Sequence, residues 1–227
     1  MIIDYELIRS KRKSIGITIE RDAKVVVNAP LDLDNKEIEK HVHKKRLWIW
    51  EKLAIKKSIM DNIASKKFIS GESFNYLGRN YRLQIVEGSS ELKLKNGWFV
   101  LGQKKQPKAK EIFKAWYSEH LKAKIDERLE SVCKAANILK PDFRIMELGF
   151  RWGSCTKDGV LNFNWKIAMA PVGVIDYIII HEIVHLKEHT HNEKFWKEVA
   201  KIMPSYGEKK EWLKKNGHAF ESFSLKI

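Results

Sequence analysis

Two cysteines, Cys133 and Cys155, are all that the 227 residues carry. That excludes a disulfide scaffold and a four-cysteine zinc module, and it suits a reducing compartment. Long apolar runs are missing as well. The longest, around Tyr177 to Ile180, falls far short of the roughly 20 residues a membrane helix needs. Near the start of the chain, Asp4 and Glu6 interrupt the apolar opening before a signal-peptide core could form. A soluble, cytoplasmic protein with no membrane partner is expected. Acidic residues are in deficit: 29 Asp and Glu face 43 Lys and Arg, a net charge of +14. Such an excess makes polyanions candidate partners and is silent on fold. Neither an internal repeat nor a low-complexity tract is present.

Core material is ample. Apolar residues make up 44% of the chain and aromatics 11%, which argues against disorder and for one large domain or two small ones. The charge is uneven, with net values of +6 over 1–70, +5 over 71–110 and +3 over 111–227, so the two halves are expected to divide the labour.

The first thirty residues read as short strands, Ser14 to Glu20 and Ala23 to Asn28, joined by the charged turn Arg21-Asp22. Asp34 with Glu37 three residues on predicts a capping box. The helix it opens runs to about Ser58, with Ile38, Val42, Trp48 and Leu53 on its core face. Strands return over 73–102, with turns at Gly78-Arg79-Asn80 and Asn96-Gly97. The lysine-rich stretch Gln103 to Lys110, containing Pro107, is the candidate linker. It divides the chain into a basic, strand-rich region with one long helix, residues 1–105, and a second domain, residues 106–227. A long helix is predicted from about Lys110 to Asn137. A strand pair follows over 143–168, then a helix opened by Pro171 and running to about Glu188, and a last helical region from Lys194 to about Leu213, broken at Met203-Pro204. The class is α+β.

Four of the eight histidines fall within HEIVHLKEHTH, residues 181–191. Positions i and i+4 of a helix share a face, so His181 and His185 can share one zinc ion at roughly 2.0–2.1 Å each. Glu182 sits beside that face, placed to take a proton from a metal-activated water. A catalytic zinc usually needs a third protein ligand. His189 on a continuing helix would lie about 6 Å further along the axis than His185. His191, after a turn past Lys187-Glu188, could fold back over the metal and is favoured. Glu188 is a weaker candidate.

Together with RWGSC at Arg151 to Cys155, Leu161-Asn162, Pro171, Ile175-Asp176-Tyr177, His181-Glu182, His185-Leu186, His191, Phe195-Trp196 and Pro204-Ser205-Tyr206, the chain resembles the YgjP-like family of predicted metal-dependent hydrolases, related to the SprT-like zinc metallopeptidases. The likeness is densest over 143–215. It implies a zincin-like domain, with the metal-binding helix against a small antiparallel sheet, and a zinc peptidase with one zinc per chain. In that pattern the third ligand is the histidine six residues after the second, here His191. Ser205 departs from it, since an acidic residue is commoner there.

An extended peptide could add to an edge strand beside the metal helix, and the hairpin from Arg151 to Ile167 is suited to that role, with Gly153 permitting close backbone approach. Arg151 is a candidate to orient a substrate carbonyl or carboxylate, although an ion pair with a nearby acid, and Trp152 in the core, is the commoner fate. Cys155 is expected to be a small buried thiol. Tyr177 and Tyr206 could each donate to a developing oxyanion. Core packing is the commoner fate for Tyr177, and the two roles are balanced for Tyr206. Asp176 is expected to be solvated or bonded to a ligand, and Phe195 and Trp196 to pack in the core. Finally, Lys11-Arg12-Lys13, Lys44-Lys45-Arg46, Lys56-Lys57, Lys66-Lys67 and Lys104-Lys105 lie near Trp48, Trp50, Tyr76 and Tyr81. Such clusters can bind nucleic acid, so the alternative function is a nucleic-acid-binding module whose zinc site is structural or hydrolyses a non-peptide substrate.

Overall fold

The computed structural model describes residues 3–20, 23–61, 63–149 and 151–223. The Arg21-Asp22 turn and Phe150 lie outside them. The protein forms two compact units, Met1–Ala64 and Ser65–Ile227. The division falls some forty residues earlier than the expected boundary at 105.

In the first unit, β1 (Glu6–Ser10) pairs in parallel and β2 (Gly16–Ile19) antiparallel with a central β3 (Val25–Pro30). Two helices follow, α1 (Asn35–Lys44) and α2 (Arg46–Asp61), where one was expected. Asp34 does stand at the N-cap, but its side chain makes no capping bond, and Glu37 faces Lys40 at 3.7 Å instead. Ile38, Val42 and Ile49 close over Val25, Val27 and Ala29, with Leu53 against them. Trp48 stays exposed, because Ile49, seven residues past Val42, keeps the helical phase and Trp48 lies about 100° from it.

The second unit opens with a four-stranded sheet, β4 (Ser73–Tyr76), β5 (Arg79–Val86), β6 (Lys93–Lys95) and β7 (Trp98–Gly102), in the order β4-β5-β7-β6. Its hairpins turn at Leu77-Gly78 and Asn96-Gly97, all four residues at positive φ, as type I′ turns require. This sheet shares one core with the rest of the unit, which is why no boundary falls at 105. Phe74 stacks on Phe113 at 4.4 Å, Tyr117 Oη donates to the Asn75 carbonyl at 2.7 Å, and Leu77 and Gly78 donate to the carbonyls of Ala168 and Met169. The supposed linker is a 3-10 turn, Gln103–Lys108, leading straight into α3 (Ala109–Ala136).

α3 buries Phe113, Trp116, Tyr117, Leu121, Ile125 and Leu129. Beyond it lie β8 (Phe143–Met146), β9 (Gly153–Cys155) and β10 (Leu161–Asn164), in the order β8-β10-β9. The sheet is mixed, not antiparallel: β8 runs parallel to β10 and only β9 is antiparallel. α4 (Val172–Val184), almost wholly buried, packs against this layer, and α5 (Glu193–Ile202) and α6 (Tyr206–Asn216) complete the unit. Asp176 is neither solvated nor bonded to a histidine. Its two oxygens accept from Arg128 of α3, both at 2.6 Å. The pair is half-buried, between the exposed and fully buried cases. Asp176→Ala is expected to cost about 1–3 kcal/mol, read as a lower denaturant midpoint, with metal content unchanged. Among the described residues no helix is long and apolar enough to cross a membrane.

Candidate metal centre

α4 ends at Val184, and His185 follows as its C-cap with helical φ and ψ. The i, i+4 spacing of His181 and His185 therefore survives to the helix end. The backbone then turns through 185–187, so His189 is not on a continuing helix and stays exposed. Past this turn His191 comes back over the helix. Its Nε2 lies 2.9 Å from His181 Nε2 and 3.1 Å from His185 Nε2. One ligand atom from each of these three histidines, and from no other residue among those described, falls within 4.8 Å of the others.

Local bonds fix this turn. The Glu188 carboxylate accepts from Asn192 Nδ2 at 3.1 Å and Thr190 Oγ1 at 3.2 Å, while Asn192 Oδ1 caps α5 at the Phe195 N–H. Glu188 thus braces the loop and is not in the cluster. Its carbonyl lies 3.0 Å from His185 Nδ1. With the proton on Nδ1, His185 Nε2 turns a lone pair inward, the usual arrangement behind a metal-ligating imidazole. Burial, then the neighbouring His185, His191 and Lys210, push the His181 pKa down to about 3, and the same kinds of cause lower that of His191. Both therefore hold neutral imidazoles at neutral pH. His181 Nδ1 is buried and has no hydrogen-bond partner among the described residues.

Neutral imidazoles whose inner nitrogens approach to 3 Å put lone pairs against one another unless a proton or a cation lies between them. Two ligands on a tetrahedral zinc stand roughly 3.3 Å apart, given bonds near 2.05 Å. The donor set and its spacing therefore fit a divalent ion. Phe195, fully buried, backs all three rings at 4.6–4.9 Å, so its core packing also fixes the imidazoles. Trp196 lies 5.9 Å from His181 and from His191.

Glu182 is 5% exposed. Its carboxyl is wedged against the edge strand: a Cβ on Gly153 would stand 2.5 Å from Glu182 Oε1 and 2.7 Å from its Cγ. Burial pushes the carboxyl pKa up to about 8, with the charge of Arg151 pulling the other way. A divalent cation on the adjacent histidines would lower it further. Arg151 is exposed just ahead of β9, and Trp152 packs on Phe220. Buried Asn164 holds this segment, accepting from Lys166 N–H and donating to the Arg151 carbonyl at 2.9 Å; sequence reasoning passed over it. Cys155 is a free, partly buried thiol outside the cluster. Tyr177 is buried with its ring 6.0 Å from His181, and burial, Glu182 and Tyr206 push its pKa up to about 12. Tyr206 stands one ring further out, stacked on Trp196 at 5.4 Å.

By scaffold and cluster, the protein falls among mixed α/β proteins whose histidines, from one helix and the loop after it, can hold a metal ion. More particularly, the chain belongs to the YgjP-like metallopeptidase family, whose domain model matches residues 13–216; a metal-dependent peptidase is the activity class. The protein also resembles the crystal structure of the metallopeptidase zymogen of Pyrococcus abyssi abylysin, at 26% identity over 40% of this chain and 93% of that one, with a TM-score of 0.37. Among curated proteins none matches.

Proposed function

We propose that the protein is a zinc-dependent endopeptidase of zincin-like design, in which His181, His185 and His191 hold one zinc per chain and Glu182 is the general base. The observation that carries this is the convergence of three inward Nε2 atoms beside a buried carboxyl that rests on an edge strand. An all-imidazole donor set suits zinc, whereas magnesium and calcium take oxygen ligands. When bound, zinc would polarise the scissile carbonyl and acidify water. Glu182 takes a proton from the attacking water and passes it to the leaving amine. β9, at the edge of its sheet, offers backbone groups to which an extended peptide can add as a further strand. Arg151, ahead of that strand, orients the substrate, and the Tyr206 hydroxyl is the candidate donor to the developing oxyanion.

The nucleic-acid alternative is not favoured, because the family is one of metallopeptidases and the basic clusters of the first unit are most simply a solvated face. Unfolded casein tests the function. Zinc-loaded protein is expected to fragment it, a chelator to stop the reaction, and added zinc to restore it. Intact casein, and intact peptides of varied sequence, in the presence of protein carrying one zinc per molecule would contradict the proposal.

A further inference from the structure

Positive charge is left over around the histidine cluster. Lys210 of α6 holds its Nζ 4.1 Å from the centroid of the Trp196 ring, which itself lies 5.9 Å from His181 and His191. The carboxylates of its own helix are taken by other lysines: Glu208 faces Lys209 at 3.4 Å and Glu211 faces Lys214 at 3.5 Å. On α5, Glu193 faces Lys197 and Glu198 faces Lys201. Among the described residues Lys210 therefore has an aromatic partner and no acidic one. Arg151 is the second cation. It is exposed two residues before Gly153, on whose backbone the Glu182 carboxyl rests; its charge is felt by that buried carboxyl, and among the described residues it forms no salt bridge. One cation thus stands on the Trp196 side of the histidines and the other at the head of β9. Fixed charges beside a cleft raise the local concentration of ligands of opposite sign. An arginine can also grip a carboxylate through two parallel hydrogen bonds.

We propose that the histidine site selects substrates bearing carboxylates within a few residues of the bond to be cut, read by Lys210 on one side and Arg151 on the other; this rests on the peptidase function above. Aspartate and glutamate side chains and a free terminal carboxylate share the required chemistry.

The test uses zinc-loaded full-length protein and paired quenched peptides of one sequence, with either acidic or basic residues flanking the scissile bond, each made with a free and an amidated C-terminus. At low salt, kcat/KM is expected to favour the acidic peptide by about five- to twentyfold, or two- to fivefold for each cation. The advantage should shrink toward parity near 1 M salt, where screening acts within about 3 Å. Lys210→Glu and Arg151→Glu should each remove part of it, and together reverse it, at unchanged metal content. Preference for the acidic over the basic peptide assigns the carboxylates to side chains; preference for the free over the amidated form of one sequence assigns them to the peptide's terminus. Equal kcat/KM for all four peptides overturns the charge selection and leaves the peptidase function standing. Should no peptide be cut, binding of the labelled pair to Glu182→Gln decides: tighter binding of the acidic peptide upholds the selection while the peptidase function falls, and equal binding overturns it.

Discussion

Glu182→Gln is expected to keep one metal ion per molecule and to lose about 10²- to 10⁴-fold in kcat, the usual contribution of a positioned general base. The amide has the shape of the carboxyl and fits the same wedge against Gly153, but it cannot accept the proton. The three ring nitrogens that could hold the metal are untouched, because Glu182 supplies none of them. A second readout separates base loss from misfolding. In the metal-free protein burial raises the carboxyl pKa to about 8 from an ordinary 4.5. The folded state then binds the proton more tightly than the unfolded state does. Its contribution to stability is full below pH 4.5 and is lost as pH rises toward 8. Glu182→Gln removes that loss, so the metal-free variant should be at least as stable as wild type at pH 8, with a flatter stability profile between pH 4.5 and 8. Urea midpoints across that range, beside metal analysis and kcat, check all three. A variant that loses its metal, or one that retains turnover within a few-fold, would contradict the role given to Glu182.

Gly153→Ala should be nearly as damaging to turnover for a purely steric reason. Gly153 does not adopt a positive φ, so the backbone there would accept any residue. The constraint is space, since the new methyl would overlap the Glu182 carboxyl from 2.5 Å. Either the carboxyl or β9 must shift. A displacement near 1 Å at a reacting group can cost about 100-fold, and overpacking a buried contact costs about 1–3 kcal/mol. Expected, then, are a kcat lower by about 10- to 100-fold, a lowered urea midpoint and an unchanged metal content. Gly207→Ala is the control. Among the described residues nothing lies within 4 Å of the position a Cβ would take there, it is in the first turn of α6, and alanine in a helix should be neutral or stabilise by up to about 1 kcal/mol. Equal activity for the two alanine variants would show that the Gly153 contact does not position Glu182.

Much of the site was legible because its spacing is local. One helical turn separates His181 from His185, and no tertiary information is needed to see that they share a face. His191 was reachable because a continuing helix would carry His189 about 6 Å past His185 and because the family pattern has a histidine six residues after the second ligand. The earlier end of the helix, at Val184 instead of about Glu188, and the loop bonds of Glu188 and Asn192 that turn His191 inward were not legible. The partner of Glu182 was harder. Nothing in RWGSC names the carboxyl that Gly153 accommodates, because the contact spans 29 positions of sequence and depends on how β9 meets α4. Lys210 was invisible for the same reason, since its place is set by stacking on Trp196. The unit boundary was misread because a lysine-rich stretch with a proline looks like a linker, whereas Gln106 Nε2 donates to the Phe68 carbonyl and Ala109 is buried. Local composition could not reveal that Phe74 and Phe99 share a core with Phe113. The mixed sheet escaped as well, since a parallel pairing of β8 with β10 needs partners separated by the whole β9 hairpin.

Metal content by mass spectrometry shows whether His181, His185 and His191 together hold one metal ion. Untagged wild-type protein, supplied with zinc and then freed of excess, is compared with His191→Ala and His189→Ala. About one zinc per molecule in wild type and in His189→Ala, with loss or marked weakening in His191→Ala, is the result expected. No zinc in the wild type, or equal zinc in both variants, would contradict the assignment of the cluster.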